Sequence, residues 1–422
     1  MKPPFPPRWQ VLRQLEDRLG DETAHAAGRS LRALDREIMG RRLHDRVELA
    51  EVDVLLERAA ETEQRFLELL ALPAGEREGW IEARSWTSDA LALGERLLSE
   101  ADRLPLVARL PLARLAVQVT MRTPLAPGDA LFKARVDDVL GRAPLLEVRA
   151  LRRRGQLEKA HERFAELEAM FTADPGVLYF WLTLAGERDL TLGLLLRDEG
   201  RWTQATTALH RAAKLFAIAG TEEDDFEVLH AQVRTELLQG DAARAVERLT
   251  PVPSFHEAFR RRATAFLRVR AARRTTSVPL ARQSLLGLLV ELGTGCSDQD
   301  LDAFRIAEAA VQLAEGQAPA ALETVAGPAE RVRAEGFLLD SLRAALVTCR
   351  AELAHRRRGA AQKALAAGVL ERFFDLPDVP AIRSVLAAVN EHAASPLDFA
   401  FLQRLDLWLI LAEDSPGVGL PD

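Results

Sequence analysis

Hydrophobic residues recur along most of the chain at the three- to four-residue spacing of amphipathic helices. The pattern is clearest between Leu192 and Phe216, where Gly200 separates two periodic runs. We interpret this stretch as two helices joined by a tight turn, with small residues where the helices approach closely. The small and large apolar positions of the two runs are Leu192, Gly193, Leu196, Ala205, Leu209 and Ala212.

This turn-and-helix pattern is repeated. Each copy has a glycine, an alanine five residues later and, in all but the last, a large apolar residue four residues further on. The copies are Gly155, Ala160 and Phe164; Gly200, Ala205 and Leu209; Gly240, Ala245 and Leu249; Gly316, Ala321 and Val325; and Gly359 and Ala364. A sixth copy has Thr276 in place of the glycine, followed by Ala281 and Leu285, so that successive turns lie 45, 40, 36, 40 and 43 residues apart. The spacing predicts an array of helix pairs.

Three regions follow from this pattern. Residues 1–78 are predicted to form an N-terminal helical module, ending in a linker at residues 72–79. Residues 79–375 are predicted to form the repeat array, and residues 376–422 two capping helices and a tail. The capping pair is expected to cover the last apolar face of the array.

The composition agrees with an all-α protein. Ala, Leu, Arg and Glu dominate, there is one tyrosine, and these frequent residues lose little side-chain freedom in a helix. Cys296 and Cys349 are the only cysteines, which favours a reduced, cytoplasmic setting. The start of the chain does not resemble a signal peptide, and no stretch approaches the roughly 20 apolar residues of a membrane span.

The residues Leu192, Gly193, Leu196, Ala205 and Leu209 resemble the signature of the tetratricopeptide repeat family, in a divergent form with longer units. The resemblance covers roughly 300 residues. It implies a right-handed superhelical solenoid of helix pairs, and the chain is similar to the divergent repeat proteins that bacteria use in signalling and regulation. Repeat proteins of this kind bind partners on a concave surface.

The resemblance also implies candidate site residues. Positions 9 and 12 of the first helix of a tetratricopeptide repeat face the groove, and in this chain seven of the twelve such positions are arginine, where about 1.5 would arise by chance. The predicted groove residues are Arg149, Arg152, Arg197, Arg234, Arg270, Arg273 and Arg356. The alternative is that these arginines stabilise the carboxyl ends of the helices, where the helix dipole is negative.

No catalytic or metal-binding motif is present in the sequence. Arg350 and His355 have the spacing of a ribonuclease motif, but the frequency of arginine predicts about one such pair by chance. Cys296 follows a glycine-rich turn at 293–295, but no histidine nearby could act as its base, so we interpret this segment as a loop between helices. We expect no enzymatic activity, no metal and no cofactor.

The sequence therefore predicts a non-enzymatic adaptor or regulatory subunit that holds a protein segment, acidic in character, in an arginine-rich groove. The alternative is a sensor of a peptide or small ligand whose N-terminal helices move on binding. The net charge of −7 makes nucleic acid an unfavourable partner, and no membrane partner is expected.

Overall fold

The computed structural model describes residues 50–355 and 360–361, apart from 88, 102–105, 125–129, 154–155, 169–177, 220–221, 251–257, 276, 294–295 and 336. All regular secondary structure in these residues is helical, with fifteen α-helices, one short 3-10 helix and no strand. The all-α prediction is confirmed for this part of the chain. The predictions for the first 49 residues and for residues 376–422 lie outside the described residues.

The helices follow one another with short connections. Their bounds are α1 (Ala50–Ala71), α2 (Arg77–Glu82), α3 (Asp89–Ala101), α4 (Leu106–Thr120), α5 (Ala130–Arg153), α6 (Leu157–Glu168), α7 (Leu178–Asp198), α8 (Trp202–Ala219), α9 (Glu222–Leu238), α10 (Ala242–Arg248), α11 (Ala258–Arg274), α12 (Val278–Leu292), α13 (Asp298–Ala314), α14 (Ala318–Ala334) and α15 (Leu338–Ala354). The 3-10 helix Ala74–Glu76 lies between α1 and α2.

Helices that are consecutive in the chain pack against each other, as α3 does on α4, α11 on α12 and α13 on α14. Alternate helices also touch, because α9 contacts α11, α11 contacts α13, and α13 contacts α15. Pairs stacked through their first helices are the packing expected of an α-solenoid.

The predicted turns are present where the structure describes them. Gly200, Gly240 and Gly316 have φ angles of 78°, 86° and 79°. Only glycine adopts this left-handed backbone without strain, and it ends the first helix of each pair. The N–H of the residue after the glycine donates back to a carbonyl five residues earlier, for example Arg201 to Leu196 at 2.9 Å. The turns at 155, 276 and 359 lie outside the described residues.

The predicted small positions form the contacts between helices. The repeat alanines are at most 1% exposed, and each apolar residue four positions later is also buried. Because an alanine at the crossing keeps two helix backbones close, the larger residue fills the adjoining space. These repeat alanines are Ala160, Ala205, Ala245, Ala281 and Ala321.

The spacing of Ser297 and Asp300 in the sequence predicts a capping box at the start of α13, and this box is present. The Ser297 side chain accepts a hydrogen bond from the Asp300 backbone N–H, and the Asp300 carboxylate accepts one from the Ser297 N–H. These bonds satisfy two N–H groups that the first turn of a helix leaves without partners. The Gly293 at the end of α12 has a φ of 58° and ends that helix.

The described residues divide into two compact units. The first contains those up to 151 together with 158–191 and 218–219, and the second contains 152–157, 192–217 and those from 222 onwards. In the first unit a single hydrophobic cluster joins Phe66 and Leu69 of α1 to Leu91 of α3 and Leu112 of α4. This cluster includes residues on both sides of residue 78, where the N-terminal module is predicted to end. The division of the chain into three regions stays a prediction.

The second unit has hydrophobic clusters shared between successive helix pairs. One cluster joins Val233 of α9, Val269 of α11 and Leu288 of α12, and it extends to Phe304 of α13. Another joins Ile306 of α13 to Val325 of α14 and Val347 of α15. The first helices α11, α13 and α15 are held side by side by these clusters, and the candidate site lies between them.

Candidate binding groove

Helix α11 is the most basic element of the described chain. Its 17 residues include seven arginines and no acidic residue. Near its amino end, Arg261 donates to Glu291 at 3.1 Å, and Arg262 lies 3.6 Å from Asp300. The carboxyl half contains Arg270, Arg273 and Arg274, which line the pocket described next. Alanine and arginine are both strong helix formers, which explains why so charged a segment remains helical.

A pocket lies between α11, α13 and α15, entirely within the second unit. The empty space between these helices is about 780 Å³, a figure that includes open solvent. The pocket has five arginines, one aspartate and an apolar surface. Its residues are Phe266, Val269, Arg270, Arg273 and Arg274 of α11, Ala303, Ile306, Ala307, Ala310 and Leu313 of α13, and Asp340, Arg343, Leu346, Val347 and Arg350 of α15. We call this pocket the arginine groove.

The three helices contribute different chemistry. Every α13 residue of the groove is apolar, and these residues recur at spacings of three and four, so they lie on one face of the helix. All five arginines belong to the two outer helices. The groove thus has an apolar floor on α13 and a basic wall on each side.

The charge in the groove is strongly positive. Asp340, in the first turn of α15, is ion-paired with Arg343, three residues later. With five arginines against this one aspartate, the residues of the groove carry four net positive charges, whereas the whole chain carries −7. Arginine stays protonated at every pH that proteins tolerate, so this charge is permanent.

Two of the predicted site residues, Arg270 and Arg273, lie together in the groove. The corresponding positions of the next repeat hold Ala310 and Leu313, which also line it. The two counted positions of these two repeats therefore line the same pocket. Arg273 is in the last turn of α11, where the helix dipole also favours a positive charge, but Arg270 is one turn earlier.

Three of the predicted residues are buried instead. Arg149 is 4% exposed, donates to the Thr191 hydroxyl at 2.9 Å, and is ion-paired with Glu187. Its guanidinium thus belongs to a polar cluster inside the first unit. Carboxylates of the chain itself hold this arginine, so we leave it out of the candidate site.

Arg152 and Arg197 are buried around one carboxylate in the second unit. Arg152 donates to one oxygen of Asp198 at 2.7 Å, and Arg197 donates to the other at 3.0 and 3.1 Å. Both arginines are 2% exposed. Two guanidinium groups on one aspartate hold the helix ends together, and a partner has no access to them.

Of the remaining two predicted residues, only Arg234 is described, and it is not among the groove residues. Arg234 is half-buried on α9, and Arg356 lies outside the described residues. Sequence reasoning missed Arg274, Arg343, Arg350 and Asp340. The seven-residue spacing of Arg343 and Arg350 was an available signal, since it places both on one helix face.

The Cys349 thiol is shielded from solvent. Cys349 is fully buried on α15, and burial raises the pKa of its thiol to about 11, against an opposing effect of the positive charge on Arg350. In the part of the chain that the structure describes, no group of three or more His, Cys, Asp or Glu residues could hold a metal ion. No helix there is long and apolar enough to cross a membrane.

Comparison with known proteins adds no relative from which a role could be transferred. The sequence matches no protein-family model and no curated protein. Any function must therefore be argued from the arginine groove itself.

Proposed function

We propose that this protein is a non-enzymatic adaptor or regulatory subunit that holds an acidic protein segment in the arginine groove. The fold in this proposal is a right-handed, tetratricopeptide-like solenoid, whose stacked first helices present a continuous concave surface. The groove would lie on that surface. Arg270 and Arg273 remain from the sequence prediction, and Arg274, Arg343 and Arg350 join them.

The observation that carries the proposal is the contrast between the groove and the rest of the protein. Four net positive charges lie within one concave site of a chain whose net charge is −7. Guanidinium groups bind carboxylates through two parallel hydrogen bonds, so they orient an acidic segment as well as attract it. The field of such a cluster also speeds the approach of an oppositely charged partner.

The proposal is tested by binding a fluorescein-labelled peptide rich in Asp and Glu to the full-length protein, followed by fluorescence anisotropy. We expect Arg273→Glu and Arg270→Glu each to raise the Kd about tenfold or more, because each reverses a charge in the groove. Raising the salt concentration should weaken binding to the unaltered protein, since charges beyond about 8–10 Å become screened.

The matched control is Arg333→Glu. Arg333 is exposed on α14 and does not line the groove, and its reversal changes the net charge of the chain by the same amount. If Arg333→Glu weakened binding as much as Arg273→Glu, attraction would come from overall charge, and the groove would not be the site. Equal melting temperatures for the three variants would show that folding is unaffected.

A sensor of a small ligand is the second candidate. The apolar residues of α13 and the arginines of α11 and α15 together could also hold a small anionic ligand. In a sensor, ligand binding should change the protease sensitivity of residues 72–79, where Arg77 donates to the carbonyls of Leu70 and Leu72 at 3.0 and 3.1 Å. An adaptor should leave cleavage of this segment unchanged.

A further inference from the structure

The solvent-facing side of α12 is apolar. Leu286, Leu289 and Val290 are 60%, 49% and 78% exposed, and their spacings of three and four residues place them on one face of the helix. In the part of the chain that the structure describes, the remaining exposed large hydrophobic residues occur singly along the sequence: Leu67, Met121, Trp202, Ile218 and Leu301. Single exposed apolar residues are ordinary, whereas a group of them marks a surface that binds a partner.

The repeat itself does not require apolar residues on this face. Counted from the repeat alanine Ala281, the three residues are the fifth, eighth and ninth along the chain. The same positions of α8 and α14 hold small or polar residues: His210, Ala213 and Lys214 in α8, and Ala326, Ala329 and Glu330 in α14. The packing of a helix pair therefore does not explain the apolar face of α12, since two other pairs form without one.

Gly287 lies beside these side chains, exposed in the middle of α12. A β-carbon added there would meet no atom within 4 Å, although a glycine inside a helix costs stability relative to alanine. Two other mid-helix glycines accommodate a leucine of a neighbouring helix: Leu209 lies against Gly193, and Leu184 lies against Gly141. Gly287 is the same kind of gap, and no described side chain of the protein fills it. We call Leu286, Gly287, Leu289 and Val290 the α12 patch.

The charges that border the α12 patch are balanced within the chain. Arg282 lies 3.1 Å from Glu315, and Glu291 lies 3.1 Å from Arg261. The patch itself contains no charged residue. It therefore suits an uncharged apolar surface, because a charged group placed on it would lose water without gaining a hydrogen bond.

The α12 patch supplies both parts of such a contact, the leucines and the gap, so it is complementary to itself. An interface between two copies related by a two-fold axis has this property. We propose that the α12 patch joins two copies of this chain, with a leucine of each copy packed at Gly287 of the other. Three large side chains from each copy cover less than the roughly 800 Å² per partner of a standard interface, so the dimer is weak. The arginine groove has no residue on α12, and this inference does not depend on it.

Sedimentation equilibrium of the full-length protein over about 1–300 μM tests the proposal. We expect a reversible monomer–dimer equilibrium with a Kd in the micromolar range or weaker. Val290→Glu and Leu286→Glu should each raise the Kd about tenfold or more, because each would bury a charge between the copies. The matched control is Ile218→Glu, at a residue of α8 that is 68% exposed, and this variant should dimerise like the unaltered protein. Circular dichroism checks that the three variants fold.

Gly287→Leu distinguishes a specific contact from general apolar association. The added side chain fills the gap but enlarges the apolar surface, so we expect the Kd to rise about tenfold or more, whereas non-specific association would become stronger. Folding of this variant is checked by urea unfolding at about 1 μM protein, where so weak a dimer dissociates.

Three outcomes would overturn the proposal. A protein that stays monomeric over the tested range would leave the α12 patch to a different apolar partner. A dimer that persists in both glutamate variants would show that another surface holds the copies together. Stronger association of the Gly287→Leu protein would show that the gap is not part of the contact.

Discussion

Gly193 of α7 lies directly against Leu209 of α8. A β-carbon added at residue 193 would come within 2.7 Å of both Cγ and Cδ2 of Leu209, and within 3.4 Å of the Ala205 carbonyl oxygen. Leu209 and Ala205 are fully buried, so neither can move aside. The absence of a side chain at residue 193 thus sets how closely the two helices of this pair approach.

Gly193→Ala should lower the free energy of unfolding by about 1–2 kcal/mol. The added methyl overpacks the crossing, which typically costs about 1–3 kcal/mol, and the better helix propensity of alanine offsets up to about 1 kcal/mol of that. Urea unfolding measures the difference.

Gly287→Ala is the control for this substitution. Gly287 is an exposed glycine in the middle of α12, and an added β-carbon there would meet no atom within 4 Å. Only the propensity effect remains, so this variant should be more stable by about 0.5–1 kcal/mol. If both substitutions changed the free energy of unfolding in the same direction, the contact of residue 193 with Leu209 would not contribute to stability.

Glu187 is expected to be essential for the stability of the first unit. It is ion-paired with Arg149, and it accepts from Arg142 at 3.2 Å. All three side chains are at most 9% exposed. Glu187→Gln would remove this carboxylate from two buried guanidinium groups, of which Arg142 also lies 4.0 Å from Asp138, and we expect a loss of about 3–5 kcal/mol in chemical unfolding.

Glu166→Gln serves as the comparison for Glu187→Gln. Glu166 is 64% exposed and is paired with Arg163, and exposed pairs contribute about 0–1 kcal/mol. The Glu166 variant should therefore unfold almost as the unaltered protein does. Similar small losses in both variants would mean that the buried cluster is replaceable and that its arginines could serve another purpose.

Acidification should destabilise the second unit through His210. The Arg248 guanidinium, which can only donate, lies 3.2 Å from Nε2 of His210, so this nitrogen accepts and the ring is neutral. Burial lowers the pKa of His210, and the positive charges of Arg248 and Arg244 lower it further.

The sign of the pH effect follows from this lowered pKa. As pH falls through the unfolded value of about 6.5, the unfolded chain takes up a proton at His210 before the folded chain does. The contribution of the neutral His210 to folding stability, which is present above this pH, is therefore lost below it. We expect the unaltered protein to lose more stability between pH 8 and pH 5.5 than the His210→Gln variant, as measured by urea unfolding. Equal losses would show that His210 makes no contribution.

The two thiols should differ in reactivity. Cys349 is fully buried with its pKa raised to about 11, whereas Cys296 is half-buried in the loop before α13. A disulfide reagent at pH 8 should modify one thiol per native chain quickly and the second only after denaturation. Cys296→Ser should abolish the fast phase, and a remaining fast phase would show that the α15 helix opens readily.

The local features of the helix pairs could be predicted from the sequence. A glycine that ends a helix with positive φ, an alanine at the crossing five residues later and a serine–aspartate capping box each depend on the conformation of a few neighbouring residues. Their signals are therefore present in short stretches, and Gly200, Ala205 and Ser297 behave as these stretches predict. The regular spacing of such stretches then predicts stacked pairs.

The roles of the arginines were decided by the tertiary structure. Arg149 and Arg273 occupy positions 9 and 12 of the first helices of their repeats, and nothing in their immediate sequence predicts which of them is buried. Arg149 is buried because Glu187, 38 residues later, lies beside it, whereas Arg273 faces an apolar stretch of α13 across the groove. A guanidinium is buried when packing brings a carboxylate to it from a distant helix, since an unpaired buried charge is too costly. The residues of the sequence alone identify where a groove could be basic, but only the packing of helices determines which of those charges remain at its surface.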